Sequence, residues 1–177
     1  CGIDSFTQNI EQRLYNKKQL TIGNYYFTKN GIFPPEQQNN HNNFLFKGIK
    51  VYLDGTLGSK SACLLDQYLN TNLKGILLVE PEKLFKLCTL AFNNKWQLAI
   101  HAIGDSANRV ALKTMGVFTS NKDLRWRIEH AQVISPEDFK TFAEYTIIPS
   151  VQPTHATSDM YWAKDRLGET RVKTAYA

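Results

Sequence analysis

The sequence predicts an α/β fold with a parallel sheet, and three features carry that expectation. Strand-like and helix-like segments alternate as β-α-β-α-β-α-β between residues 44 and 153. The strand-like segments are short, nearly continuous apolar runs, as strands covered on both faces are. Two histidines at successive strand ends, His101 and His130, lie 29 residues apart. That is close to the roughly 31 residues per unit of an eight-unit barrel of about 250 residues. Four units make half a (β/α)8 barrel. A doubly wound open sheet is the competitor, but it usually carries a Gly-rich phosphate loop, and the nearest segment here, GTLGS, lacks that pattern.

Each element has its own local reason. Residues 6–20 place Phe6, Ile10 and Leu14 at a helical step of four. From Gly23 to Asn43 the text turns irregular, and Pro34-Pro35 with the amide tract around His41 predict a loop with His41 solvated. FLFKGIKVYLDG, from Phe44, is a strand ending in an Asp54-Gly55 turn. Residues 82–94 set Leu84, Leu87, Cys88 and Ala91 on one helical stripe, with Pro81 suited to the first turn. WQLAIHAIGD (96–105) is the next strand, and 106–115 a helix by the spacing of Ala107, Val110, Ala111 and Met115. RWRIEHAQV (125–133) follows as a strand. SPEDF then opens a helix to about Tyr145, with Ser135 as N-cap and Pro136 at the first turn. TIIPSVQP (146–153) is the fourth strand.

Composition narrows the function. The 177 residues are 42% hydrophobic and 21% charged, an ordinary globular balance. No window approaches the about 18 consecutive apolar residues of a membrane span. Cys1, Cys63 and Cys88 are an odd number at wide spacing, which excludes a disulfide framework or cysteine zinc knuckle and fits a reducing compartment. The net charge of +5 is scattered, with no basic run, which argues against nucleic-acid binding. The chain starts at Cys1 with no visible signal peptide, which favours the cytoplasm, and neither end reads as a natural terminus.

The chemistry concentrates where such folds place their sites, at strand C-termini. Those ends carry Lys50 with Asp54, His101 with Asp105, Glu129 with His130, and Gln152 with His155. A lone histidine there is more often structural. Two on adjacent strands at one-unit spacing favour a shared role, and neutral imidazole is a common zinc ligand. Lys50 sits in an apolar strand (GIKVYL), where a bare ammonium is costly unless it is paired, modified or snorkelling to the rim beside Asp54.

The runs IKVYLDGTLGSKSACL, KGILLVEPEKL, LAIHAIGDSANRVAL, RWRIEHAQVISPEDF and IIPSVQPTHATSDMYWAKDRLG resemble, in order, the central part of the YtcJ-like amidohydrolases, the amidohydrolase 3 group. The resemblance spans about residues 44–177; residues 1–43 match loosely, as a helix and variable loop or insertion. It implies a metal-dependent hydrolase on a (β/α)8 TIM-type barrel, of which this chain is about strands 4 to 7. The implied cofactor is one or two divalent metals, commonly zinc. By position, Lys50 resembles the strand-4 lysine that is often carboxylated, and His101 and His130 the ligands of strands 5 and 6. Asp54, His155 and Asp159 resemble positions lining the substrate pocket. The strand-1 HxH pair and the strand-8 aspartate, expected as general base, have no counterpart here and would lie outside this chain.

The implied reaction is hydrolysis of a C–N bond in a small non-peptide amide through a metal-activated water. Two other readings stay open at this point: a metal-independent barrel lyase or isomerase using His101 and His130 as acid and base, and a non-catalytic binding module. Made alone, the chain is expected to be inactive and prone to oligomerise. Its unpaired edge strands and an inward face including Val51, Ile100 and Ile128 would lack partners.

Overall fold

The structure, a computed structural model, describes residues 2–3, 22–28 and 44–176. The helix expected over 6–20, Cys1 and the solvated His41 lie outside the described residues. Six described strands form one sheet in chain order: β1 (Gly2–Ile3), β2 (Ile22–Thr28), β3 (Phe44–Tyr52), β4 (Gln97–Ala102), β5 (Arg127–His130) and β6 (Ile148–Ser150). Every neighbouring pair runs parallel. The parallel α/β expectation for residues 44–153 therefore holds. The loop expected from Gly23 does not, because residues 22–28 pair along the whole length of β3. Gly23 and Asn24 read locally as a turn, but the Tyr25-Tyr26-Phe27 run fits a pleated surface, and a long partner strand outweighs the turn signal.

Helices α1 (Pro81–Asn93) and α2 (Asp105–Thr119) follow β3 and β4. After β5 comes a 3-10 turn (Pro136–Asp138) and a short α3 (Phe139–Glu144). Ser135 precedes that turn as expected but makes no side-chain cap hydrogen bond. The chain ends through α4 (Thr154–Asp159) and α5 (Ala163–Arg171). Gly168, at φ +77, interrupts α5, so the charged tail is not one continuous helix.

Strand alternation gives the sheet two unlike faces. Ile49 and Val51 of β3, Leu98 and Ile100 of β4 and Ile128 of β5 are fully buried, in one core with Leu84, Leu87, Cys88 and Ala91 of α1 and Ala107, Ala111 and Met115 of α2. Val51, Ile100 and Ile128 thus face the helices, not the inward side expected above. The opposite face is polar. There Lys50 pairs with Ala99 and Tyr52 with His101, while Arg127 and Glu129 continue the same rows on β5.

One buried carboxylate joins the long 53–80 connection to the β4–α2 turn. Asp54 Oδ1 accepts the Ile103 N–H at 3.0 Å, and Oδ2 accepts those of Gly104 at 2.8 Å and Cys63 at 2.9 Å. Cys63 in turn offers its carbonyl to the Ser106 and Ala107 N–H groups, closing the first turn of α2. The two segments touch so closely that a Cβ on Gly104 would lie 2.0 Å from the Cys63 carbonyl oxygen. Asp54→Asn places an NH2 group where two N–H donors need an acceptor. A buried donor left unpaired costs about 1–3 kcal/mol, so urea denaturation is expected to report a loss of at least that size. An unchanged midpoint would mean that the loop and turn are held by other contacts.

Candidate active site

His101 closes β4 and is buried, at 5% exposure. Its Nε2 lies 3.0 Å from the Gly55 carbonyl oxygen and 3.5 Å from Asp54 Oδ1. A carbonyl only accepts, so Nε2 carries the proton and Nδ1 keeps a bare lone pair. That Nδ1 is buried with no hydrogen-bond partner. Burial lowers the imidazole to about 4 against the pull of the Gly55 carbonyl, with His130 and Lys50 adding to the depression. His101 is therefore neutral at neutral pH.

His130 reaches the same place by a different route. Its register partner, Ala102, is on the helix side of the sheet, and strict alternation would send His130 there too. Instead His130 and Ala131 adopt φ of +75 and +44, a left-handed turn that is uncommon without glycine. The imidazole comes to lie edge-on to His101, with ring centroids 4.6 Å apart and planes at 70°. Its Nδ1 is likewise buried and unpartnered. Burial, then Lys50 and His155, hold it below the usual histidine range.

Lys50 lies half-buried beside them. Burial brings its amine down to about 8, opposed by the Glu129 carboxylate and assisted by Arg127. The ammonium sits 5.3 Å from the Tyr52 ring centroid, and that ring stands 4.8 Å from His101. Glu129 pairs with Arg127 at 2.5 Å. Although burial pushes Glu129 up, Ser150, Arg127 and Lys50 outweigh it and hold the carboxyl below its ordinary range. Arg127 also donates to the Tyr25 hydroxyl at 2.7 Å and stacks on that ring.

Beyond His130, a cleft of about 200 Å³ is lined by His130, Gln132, Gln152, Pro153, His155 and Tyr176, among others. His155 stacks on His130, with centroids 5.3 Å apart and planes within 10°. Asp159 stands behind this wall, accepting from Gln132 Nε2 at 3.1 Å and from the Tyr176 hydroxyl at 3.0 Å. The structure thus brings Lys50, His101, His130 and His155 together. Asp54 is different. Its oxygens are taken by backbone donors, so it supports His101 from behind instead of lining the pocket. Asp105 likewise accepts the Leu65 and Ser106 N–H groups at the start of α2. Among the described residues, no three His, Cys, Asp or Glu side chains gather as a metal site.

Sequence reasoning missed Tyr25, Arg127, Gln132 and Tyr176. Arg127 was findable, two residues before Glu129 and so on the same strand face. Tyr25 and Tyr176 reach the site only through tertiary pairing, for which the local sequence carries no signal.

The depressed imidazole has a measurable consequence. Folded His101 takes its proton at about 4, against an ordinary 6.5. Between those values the unfolded chain holds the extra proton, so stability falls as pH drops through this window. With a chelator present, urea midpoints from pH 7 to 4 are expected to fall more steeply for the unaltered protein than for His101→Asn. Parallel curves would mean that His101 titrates normally.

Known proteins share this sequence and this fold. The family model described as the amidohydrolase family matches residues 12–177. Protein LONG AFTER FAR-RED 3 of Arabidopsis thaliana is 39% identical over 134 residues, covering 73% of this chain and 23% of its own length. YtcJ of Bacillus subtilis (strain 168) is 33% identical over 133 residues, covering 75% of this chain and 25% of its own length. The chain thus spans about a quarter of the length of these curated relatives. An uncharacterized metal-dependent hydrolase from Pyrococcus horikoshii OT3 superposes with a TM-score of 0.82 at 27% identity, over 99% of this chain and 36% of that one. One from Pyrococcus furiosus gives 0.82 at 23% identity, over 99% and 38%. A match over this much of the sequence makes the chain a member of the amidohydrolase family.

Proposed function

We propose that the whole protein hydrolyses a C–N bond in small non-peptide amides, using a divalent cation held by His101, His130 and Lys50. The observation that carries the reading is the pair of buried imidazoles whose Nδ1 atoms lack any partner while their rings sit 4.6 Å apart. Two buried ring nitrogens without partners, on rings in contact, leave polar atoms unsatisfied, which is costly unless something fills their place. A cation fits that place. The His101 N–H held by the Gly55 carbonyl, with Asp54 behind it, is the arrangement that orients a metal-binding imidazole. Imidazole nitrogens with an oxygen donor suit zinc.

Lys50 supplies the oxygen donor once carboxylated. An amine near 8 is partly unprotonated at neutral pH, and its lone pair adds to dissolved CO2, giving a carbamate and releasing a proton. The product replaces a buried cation by an anion and removes the burial penalty on the ammonium. When bound, the cation supplies Lewis acidity, making water nucleophilic near neutral pH and polarising the substrate carbonyl. The general base for the water and the remaining ligands belong to parts of the protein outside this chain. His155, with Asp159 behind it, and the cleft beside them bind and orient the substrate.

On this reading residues 44–177 form the central part of a (β/α)8 barrel, about strands 4 to 7, and β1 and β2 extend the same parallel sheet ahead of them. The polar face of the sheet becomes the barrel interior, and β1 and β6 meet the remaining strands of the barrel.

The test uses the whole protein. A chelator is expected to abolish hydrolysis of N-acyl substrates, and added zinc to restore it. His101→Asn and His130→Asn are expected to lower bound metal and to cut kcat/KM by more than about 100-fold, beyond the 10–100-fold loss typical of residues that merely orient a ligand. Full activity in rigorously metal-free protein would overturn the proposal in favour of acid–base chemistry by the two histidines.

A further inference from the structure

The wall of the cleft contains a hydrogen-bond chain whose direction is chemically forced. Asp159 is its origin, because an aspartate carboxylate accepts hydrogen bonds. Its Oδ2 takes the Tyr176 hydroxyl at 3.0 Å and one side of the Gln132 amide at 3.1 Å, while Oδ1 takes the Ser158 hydroxyl at 2.8 Å. The group of Gln132 facing Asp159 must therefore be its NH2. That orientation turns Gln132 Oε1 toward His155 Nδ1, 3.3 Å away. An amide oxygen accepts only, so His155 Nδ1 carries a proton. In a neutral imidazole the other nitrogen, Nε2, is then a bare acceptor.

Burial locks this chain. Gln132 is only 5% exposed, and flipping its amide would set an oxygen against the Asp159 carboxylate. Burial first, and Asp159 with it, keep the Tyr176 hydroxyl above its usual range, so it remains a donor. Stacking on His130 occupies one face of the His155 ring, and Gln132 occupies Nδ1. The polar atom that His155 offers the cleft is Nε2. This is the opposite tautomer to His101, which holds its proton on Nε2 against Gly55.

We propose that Gln132 is a positioning residue that fixes His155 in the Nδ1–H form, so that His155 Nε2 accepts a hydrogen bond from an N–H or O–H group of the bound substrate. Within the reaction proposed above, on which this rests, the consequence is a preference for donor-bearing amides over fully alkylated ones. Asp159 and Tyr176 act one step further back, through Gln132.

The tautomer is read directly by long-range ¹H–¹⁵N correlation spectra of ¹⁵N-histidine-labelled whole protein, with His155→Phe identifying the signal. The expected result is a protonated Nδ1 and a bare Nε2, shifting to a mixture or to the Nε2–H form in Gln132→Leu and in Asp159→Asn. Acetamide, which bears N–H donors, is expected to move the Nε2 resonance, and N,N-dimethylacetamide, which bears none, is not. Kinetically, Gln132→Leu is expected to raise KM about 10-fold or more with bound metal unchanged. An Nε2–H tautomer in the unaltered protein, a Gln132→Leu spectrum identical to it, or equal shifts with both amides would overturn the proposal. Because the tautomer is measured without substrate or turnover, its failure is distinguishable from failure of the hydrolase reading, which shows instead as metal-independent activity.

Discussion

The Asp54 carboxylate is the constraint on which the site depends. It lies at the end of β3, where the chain leaves the sheet for a long irregular connection, and it gathers N–H groups from both that connection and the turn after β4. Removing a carboxylate from water is expensive, and burial outweighs three backbone donors, leaving this one raised to about 7. The three fixed peptide N–H groups recover part of that cost. The return is positional. With Asp54 pinned, Gly55 presents its carbonyl to His101 Nε2, which holds the proton there and leaves the lone pair on Nδ1. A looser turn would leave His101 free to choose its tautomer.

The rest of the site follows from the unequal faces of the sheet. One face is closed by α1 and α2 over aliphatic side chains, and that packing holds the strands in register. The other face carries Lys50, Arg127, Glu129 and His101 in adjacent rows, a density of charge that a plain structural sheet would avoid. These groups compensate one another: Glu129 is held ionised by Arg127 and Lys50, and Lys50 is destabilised by burial and by Arg127. The histidines at the rim stay neutral as a result of burial beside these cations. Neutral imidazoles, a weakly basic lysine and an acidic neighbour are the electrostatic state a cation site requires before it is filled.

Much of this was legible because it rests on periodicity and strand-end position. The apolar runs at 44–52 and 97–102 and the stripe of Leu84, Leu87, Cys88 and Ala91 identify their elements without help, and the placing of His101 follows from its strand end. What escaped depends on tertiary pairing or on local backbone strain. β2 reads as a loop because its turn-forming Gly23-Asn24 pair is overruled only by the neighbouring strand. Val51, Ile100 and Ile128 read as inward because all residues of a doubly covered strand look alike; only the polar residues between them, Lys50, His101 and Glu129, reveal which face is which. His130 needs a left-handed φ that its identity does not announce. The family resemblance puts Asp54 in the pocket; its three backbone partners come from segments 9 to 50 residues away.

The central claim is that His101 and His130 face one another across a cation. Anomalous diffraction from crystals of the whole protein, recorded on both sides of the absorption edge of the metal it retains, tests this most directly. The account predicts a single strong anomalous peak in contact with both imidazoles, with continuous density from the Lys50 side chain into a carboxylated group reaching the same peak. A peak elsewhere, or none between the two rings in protein that is active, would contradict it.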